Sequence, residues 1–137
     1  MAYEYTKVPV SNSQNEIKRL VMLRGGAGVA FFSHPPTEGF EALMPIDGVT
    51  YKIRIVATVP LESRDIERDQ RRIWRVIFYH MKSVFEAASS GVMEFREMML
   101  PYIVTKDEKT VAQHILPKLE QALSGRPDRL LPQAKEL

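Results

Sequence analysis

Ser63–Ser89 reads SRDIERDQRRIWRVIFYHMKSVFEAAS, the longest stretch of the chain with one unbroken helical period. At about 100° per residue, Ile66, Ile73, Ile77, Val84 and Ala88 share one side, flanked by Trp74, Met81 and Phe85. Arg68, Arg72, Arg75, Tyr79, Lys82 and Glu86 share the other. The first side predicts the spine of a core, with Trp74 buried in it. The second is a basic stripe with one aromatic, Tyr79, predicted to stay exposed.

Upstream lies the partner for that spine. Phe40, Ala42, Met44 and Ile46 alternate with Glu41, Leu43 and Pro45. Asp47-Gly48 is a two-residue hairpin signal. Beyond it, Val49, Tyr51, Ile53, Ile55, Ala57 and Val59 alternate with Thr50, Lys52, Arg54, Val56 and Thr58. A two-residue turn pairs Ile46 with Val49 and Met44 with Tyr51, so both apolar sets land on one face. Pro45 predicts an edge strand or a bulge, and Pro60 ends the second strand. Val29–Ser33 is a further short strand, and the proline pair makes His34–Gly39 a loop.

Residues 1–12 read as an extended arm. Ser13-x-x-Glu16 is a capping-box pattern opening a helix that turns Ile17, Leu20 and Val21 inward. Arg24 suits the C-terminal end of that helix, and Gly25-Gly26-Ala27-Gly28 stops it. After Gly91, Val92–Leu100 reads as a short helix carrying Met93, Phe95, Met98 and Met99, ended near Pro101. Tyr102–Thr105 is extended and Lys106–Lys109 a charged turn. Thr110-x-x-Gln113 is a second capping box. The helix after it is expected to bury Val111, Ile115, Leu119, Ala122 and Leu123, with a kink at Pro117 and Gly125 at its C-terminal stop. Residues 126–137 form a loosely packed tail in which Leu130 and Leu131 can dock. Together these elements predict one α+β domain over residues 1–137. A three-stranded antiparallel sheet is packed by the N-terminal and central helices, with a small C-terminal helical extension.

Composition narrows the function. The chain has 137 residues, 45% hydrophobic and 26% charged, with a net charge of +2. That is an ordinary globular balance. Any nucleic-acid binding must therefore come from a local patch and not from the overall field. Absence of cysteine excludes disulfides and thiolate chemistry and fits a reducing compartment. No apolar run approaches the roughly 20 residues that span a bilayer, and the N-terminus lacks a secretory pattern.

Most catalytic constellations fail on spacing. Arg24–Gly28 has no following Lys-Ser/Thr and stands after a helix, the reverse of a phosphate loop. His34, His80 and His114 lie too far apart to share a metal by local spacing, and no G-x-S-x-G occurs. Asp107-Glu108-Lys109 has the acid-x-lysine spacing of metal-dependent nucleases but lacks an upstream acidic partner. Glu94 and Glu97, one helical turn apart, read as helix-surface charges. No catalytic residue, metal or cofactor is expected.

The basic stripe is the remaining signal. Arg68, Arg71, Arg72, Arg75 and Lys82 can track a phosphate backbone, with Tyr79 stacking on a base. Lys52 and Arg54 on the open sheet face extend it if they adjoin the helix. Against this, Glu67 and Asp69 lie one helical turn from Arg71 and Arg72 and offset part of the charge.

TKVPVSNSQNEIKRL, IRIVATVP, FREMMLPYIV and TVAQHILPKLEQALSGRPDRLLP, in that order, resemble a family of small proteins encoded by bacteriophages and prophages. The family is functionally uncharacterised, so the resemblance implies a phage gene product in the host cytoplasm and transfers no site residue. Separately, the α-β-β-β-α order resembles double-stranded-RNA-binding domains, whose lysine cluster opens the second helix where Arg68, Arg71 and Arg72 stand here. The expected function is a non-enzymatic phage accessory protein binding nucleic acid through the basic helix face. The alternative is an inhibitor or modulator of a host protein such as a polymerase, nuclease or immune effector. Met93, Phe95, Met98 and Met99 would then supply an adaptable contact surface. A metal-dependent nuclease using Asp107 and Lys109 stands third. Oligomeric state is left open, with a homo-oligomer among the options.

Overall fold

The computed structural model describes residues 2–124; the predicted stop at Gly125 and the 126–137 tail lie outside them. The order is α1 (Val10–Leu23), β1 (Ala27–His34), β2 (Thr37–Ile46), β3 (Val49–Thr58), α2 (Ile66–Ser89), α3 (Phe95–Met99), a 3-10 turn (Leu100–Tyr102) and α4 (Val111–Leu123). The sheet is antiparallel in the order β1-β2-β3. This is the α+β arrangement expected, with α1 and α2 packed on one face.

The hairpin forms in the expected register. Ile46 faces Val49 and Met44 faces Tyr51. Asp47 and Gly48 both adopt positive φ, 51° and 82°, the conformation that matches strand twist in a two-residue turn. Phe40, Ala42, Met44, Ile53 and Ile55 are buried beneath Ile17, Val21, Ile73, Trp74, Ile77 and Met81. The helix is oriented as its periodicity predicts: Trp74 is 0% exposed and Tyr79 41%.

Several local expectations are corrected. Pro45 lies in the central strand, paired with Thr50, and is neither at an edge nor bulged. Ile46 and Val49 close the hairpin, so Pro45 turns its missing donor toward β1, whose pairing stops at Ala27 opposite Leu43. The bulge falls instead in β1, between Ala27 and Ala30, where Gly28 has φ 61°. The predicted loop shrinks to Pro35–Pro36, joined by a cis peptide bond, so Glu38 and Gly39 belong to β2. No capping box forms at Ser13. Pro9 is the N-cap of α1, Ser13 is buried inside the helix, and Glu16 is left for another partner. In α2, Asp65 caps the first turn by accepting from the Arg68 N–H at 3.0 Å. Asp69 is buried there and accepts from the Ser63 hydroxyl. That turn is held by polar contacts, and Ile66, expected in the core, is exposed.

The capping box at Thr110 forms in full. The Ile103–Val104 segment runs along β3, bridging Ile53, with the Val104 N–H donating to the Lys52 carbonyl at 2.8 Å. α4, however, buries none of its residues. Val111 rests against the core while Ile115, Leu116, Leu119 and Leu123 remain exposed.

Candidate interaction surfaces

The expected nucleic-acid stripe is largely engaged within the chain. Arg75 is the largest correction: its side chain is 7% exposed and its Nη2 donates to Glu16 Oε2 at 2.7 Å. Its guanidinium also lies over the Phe78 and Tyr79 rings, at 4.6 and 5.2 Å. Arg71 Nε donates to the Thr6 carbonyl at 3.4 Å. Tyr79 stacks on Tyr3, with centroids 5.0 Å apart and planes 8° from parallel. The segment before α1 is thus no free arm: part of the stripe holds it, and α1, against α2. Arg68 and Arg72 both approach Asp69, at 3.8 and 4.0 Å. Lys82 approaches Glu86 at 4.0 Å and the Tyr79 ring at 5.9 Å.

Lys52 and Arg54 do not extend that stripe. They alternate with buried Ile53 and Ile55, so they project from the sheet face opposite the helices. Arg54 Nε donates to Glu41 at 2.8 Å and its Nη1 to the Glu108 carbonyl at 2.7 Å. Lys52 Nζ donates to Glu108 Oε2 at 2.8 Å. That hydrogen bond holds the Lys52 amine above the ordinary lysine value and the Glu108 carboxyl below the ordinary carboxylate value. The sheet face is a paired charge lattice, and the sheet separates it from α2.

Sequence spacing did not bring Thr105, Asp107 and His114 together, but the loop does. Thr105 donates to Asp107, and His114 Nε2 lies 3.0 Å from both Asp107 Oδ1 and Thr105 Oγ1. A nucleophile relay needs the two ring nitrogens on opposite partners; here one nitrogen meets both, so the cluster braces the loop before α4. Asp107 has no acidic companion for a metal, and no group of three metal-ligating side chains occurs among the described residues.

The hydrogen bonds from Thr105 and His114 lower the Asp107 carboxyl to about 2. A depressed carboxyl contributes stability that is complete above its ordinary value of 3.8 and is lost as pH falls through about 2. The brace is therefore expected to persist at pH 4 and to open on further acidification. Titration of the Asp107 carboxyl carbon by NMR checks this, and a midpoint at the ordinary value would show that the brace does not form in solution.

The methionine surface is also reassigned. Met99 is buried, Phe95 and Met98 pack against the core, and only Met93 of that set is exposed. An uncovered apolar surface lies on α4. Its Val111, Ala112, Ile115, Leu116, Leu119, Ala122 and Leu123 fill a continuous sector of about 140°. Gln113, His114, Pro117, Lys118, Glu120 and Gln121 fill the remainder. A smaller apolar groove of about 540 Å³ lies between the C-terminal ends of α1 and α2, floored by Leu20, Leu23 and Phe85 and rimmed by Arg24 and Lys82.

No protein-family model, curated protein or solved structure matches the chain. Among the described residues no helix is long and apolar enough to cross a membrane.

Proposed function

We propose that this protein is a binding module that presents α4 as a ligand helix to an apolar groove on a partner protein. One observation carries the reading: a 13-residue helix, fixed at its N-terminus by a full capping box, buries none of its residues despite a continuous apolar sector. Helix-in-groove recognition uses anchors at this helical spacing. Ile115, Leu116, Leu119 and Leu123 are the anchors, each between 37% and 54% exposed. Side by side, two such helices would hide a strip on the order of 400 Å² each, well under the roughly 800 Å² per partner of a stable interface. A groove encloses the whole sector from both sides. The phage origin implied by the sequence resemblance makes a host protein the natural class of partner.

The pair Leu116→Gln and Leu119→Gln replaces no buried residue and is expected to leave stability within about 0.5 kcal/mol. It should abolish capture of a stoichiometric partner from nuclease-treated host lysate, and a peptide spanning 110–124 should compete with the intact chain. Capture that survives the double variant and ignores the peptide would overturn the assignment.

Nucleic-acid binding stands second, favoured by the outward placement of Tyr79, Arg68 and Lys82. Of their ion pairs, Lys82–Glu86 is exposed and contributes at most about 1 kcal/mol, so a phosphate can compete for Lys82. This reading requires affinity for DNA or RNA that falls steeply with salt and is insensitive to the α4 changes.

A further inference from the structure

The two edges of the sheet are treated differently. Beyond β3, Ile103 and Val104 form a partial fourth strand whose backbone bonds to Lys52. Beyond β1 there is nothing comparable: among the described residues, no strand pairs with its outer side and no backbone hydrogen bond from outside the sheet reaches it. His34 and Thr37 close a two-residue turn, so Phe32 and Ala30 direct their ladder bonds at β2. Phe31 and Ser33 consequently turn their N–H and C=O groups outward.

β1 reads AGVAFFSH, eight residues long, with no lysine, no acid and no proline. Edge strands ordinarily carry such residues to block pairing. The bulge near Gly28 is the one blocking feature here, and it leaves Ala30–His34 in regular register. We infer that β1 pairs antiparallel with β1 of a second copy, joining two sheets into one of six strands around a two-fold axis.

Charge selects the occupant. Two-fold antiparallel pairing sets residue i against residue j and j against i, so a residue near the axis faces its own copy and a charge there would meet its like. An uncharged strand tolerates that. Its outer face offers no charged group from β1 to read a different peptide. Phe32 is already committed, its ring lying over Gly39 so closely that a Cβ there would come within 2.8 Å of it. Phe31 packs edge-on against Trp74 at 5.8 Å, which anchors the strand on the core side. A strand of this length spans about 26 Å and makes an interface at the small end of the range, so the dimer should form reversibly with concentration. This inference is independent of the α4 reading.

Ala30 tests it. It is exposed, projects from the outer face and lies near the middle of the strand. With the two-fold axis at Phe31, whose backbone groups turn outward, the two copies of residue 30 lie about 8 Å apart, within one Debye length of roughly 8–10 Å. Sedimentation of the native chain is expected to show mass rising from 15.7 kDa toward twice that value with concentration. Ala30→Lys and Ala30→Glu should each stay monomeric while folded, and an equimolar mixture of the two should restore the dimer. Amide exchange at Phe31 and Ser33 should slow in the dimer alone. A native chain monomeric at every concentration overturns the inference. So does a dimer that Ala30→Lys leaves intact while the Leu116→Gln and Leu119→Gln pair dissolves it, or a folded mixture that fails to restore pairing.

Discussion

Replacing Trp74 by alanine is expected to lower stability by about 3–5 kcal/mol. Trp74 is the largest fully buried side chain, and it joins three elements. From α2 it packs edge-on against Phe31 of β1 and donates its indole N–H to Glu38 of β2 at 3.1 Å. Alanine removes the ring and leaves a cavity that the surrounding sheet can close only in part. It also takes one donor from a buried carboxyl. Domains of this size are stable by roughly 5–15 kcal/mol in total, so the variant should sit near its unfolding threshold. Trp74→Phe separates the two causes. It keeps most of the apolar volume and loses the N–H, and should cost about 1–2 kcal/mol. Urea unfolding followed by far-UV circular dichroism measures both; tryptophan fluorescence cannot, because Trp74 is the chain's one tryptophan. A loss below about 1 kcal/mol for alanine, with the slope against urea unchanged, would mean that Trp74 is not a core anchor.

How far the sequence carried the fold depended on how local the deciding interaction was. The register around Asp47-Gly48 was legible because turn chemistry and strand alternation agree within a few residues. The orientation of α2 was legible because its apolar period runs unbroken over several turns. The capping box at Thr110 needs only its own four residues. That at Ser13 had the same pattern and failed, because Pro9 starts the helix one turn earlier. Arg75 looked like part of a solvated stripe; its partner Glu16 is 59 residues away, a contact that no local pattern encodes. The same limit hid the arm that packs Tyr3 on Tyr79, and with it the reason the stripe is largely occupied. α4 shows the converse error. Its amphipathic period is correct, but a period says which face is apolar and not what covers it.

Glu38 was the least legible residue of all, since the proline pair placed it in a loop, yet its loss is expected to be the other large effect. It is fully buried at the inner end of β2. One carboxyl oxygen, Oε1, accepts from Trp74 Nε1 at 3.1 Å, from Gln70 Nε2 at 3.2 Å and from the Ser33 hydroxyl. Gln70 also donates to Ser33 Oγ at 3.2 Å, so the four side chains form one closed network tying β1, β2 and α2 together. Glu38→Ala strips the shared acceptor from three donors at once. Each buried donor left unpaired costs about 1–3 kcal/mol, and the losses overlap, so about 3–5 kcal/mol in total is expected. Glu38→Gln distinguishes acceptor from charge. Its amide oxygen can keep the place of Oε1, but its NH₂ then occupies the position of Oε2, which has no hydrogen-bond partner among the described side chains. That orphaned donor should cost about 1–2 kcal/mol. A double-mutant cycle of Glu38→Ala with Trp74→Phe should show strong coupling, since the second change removes a donor the first has already deprived of its acceptor. Additive losses would mean that the indole N–H finds another acceptor in solution, and the network would then not be what fixes β1 to α2.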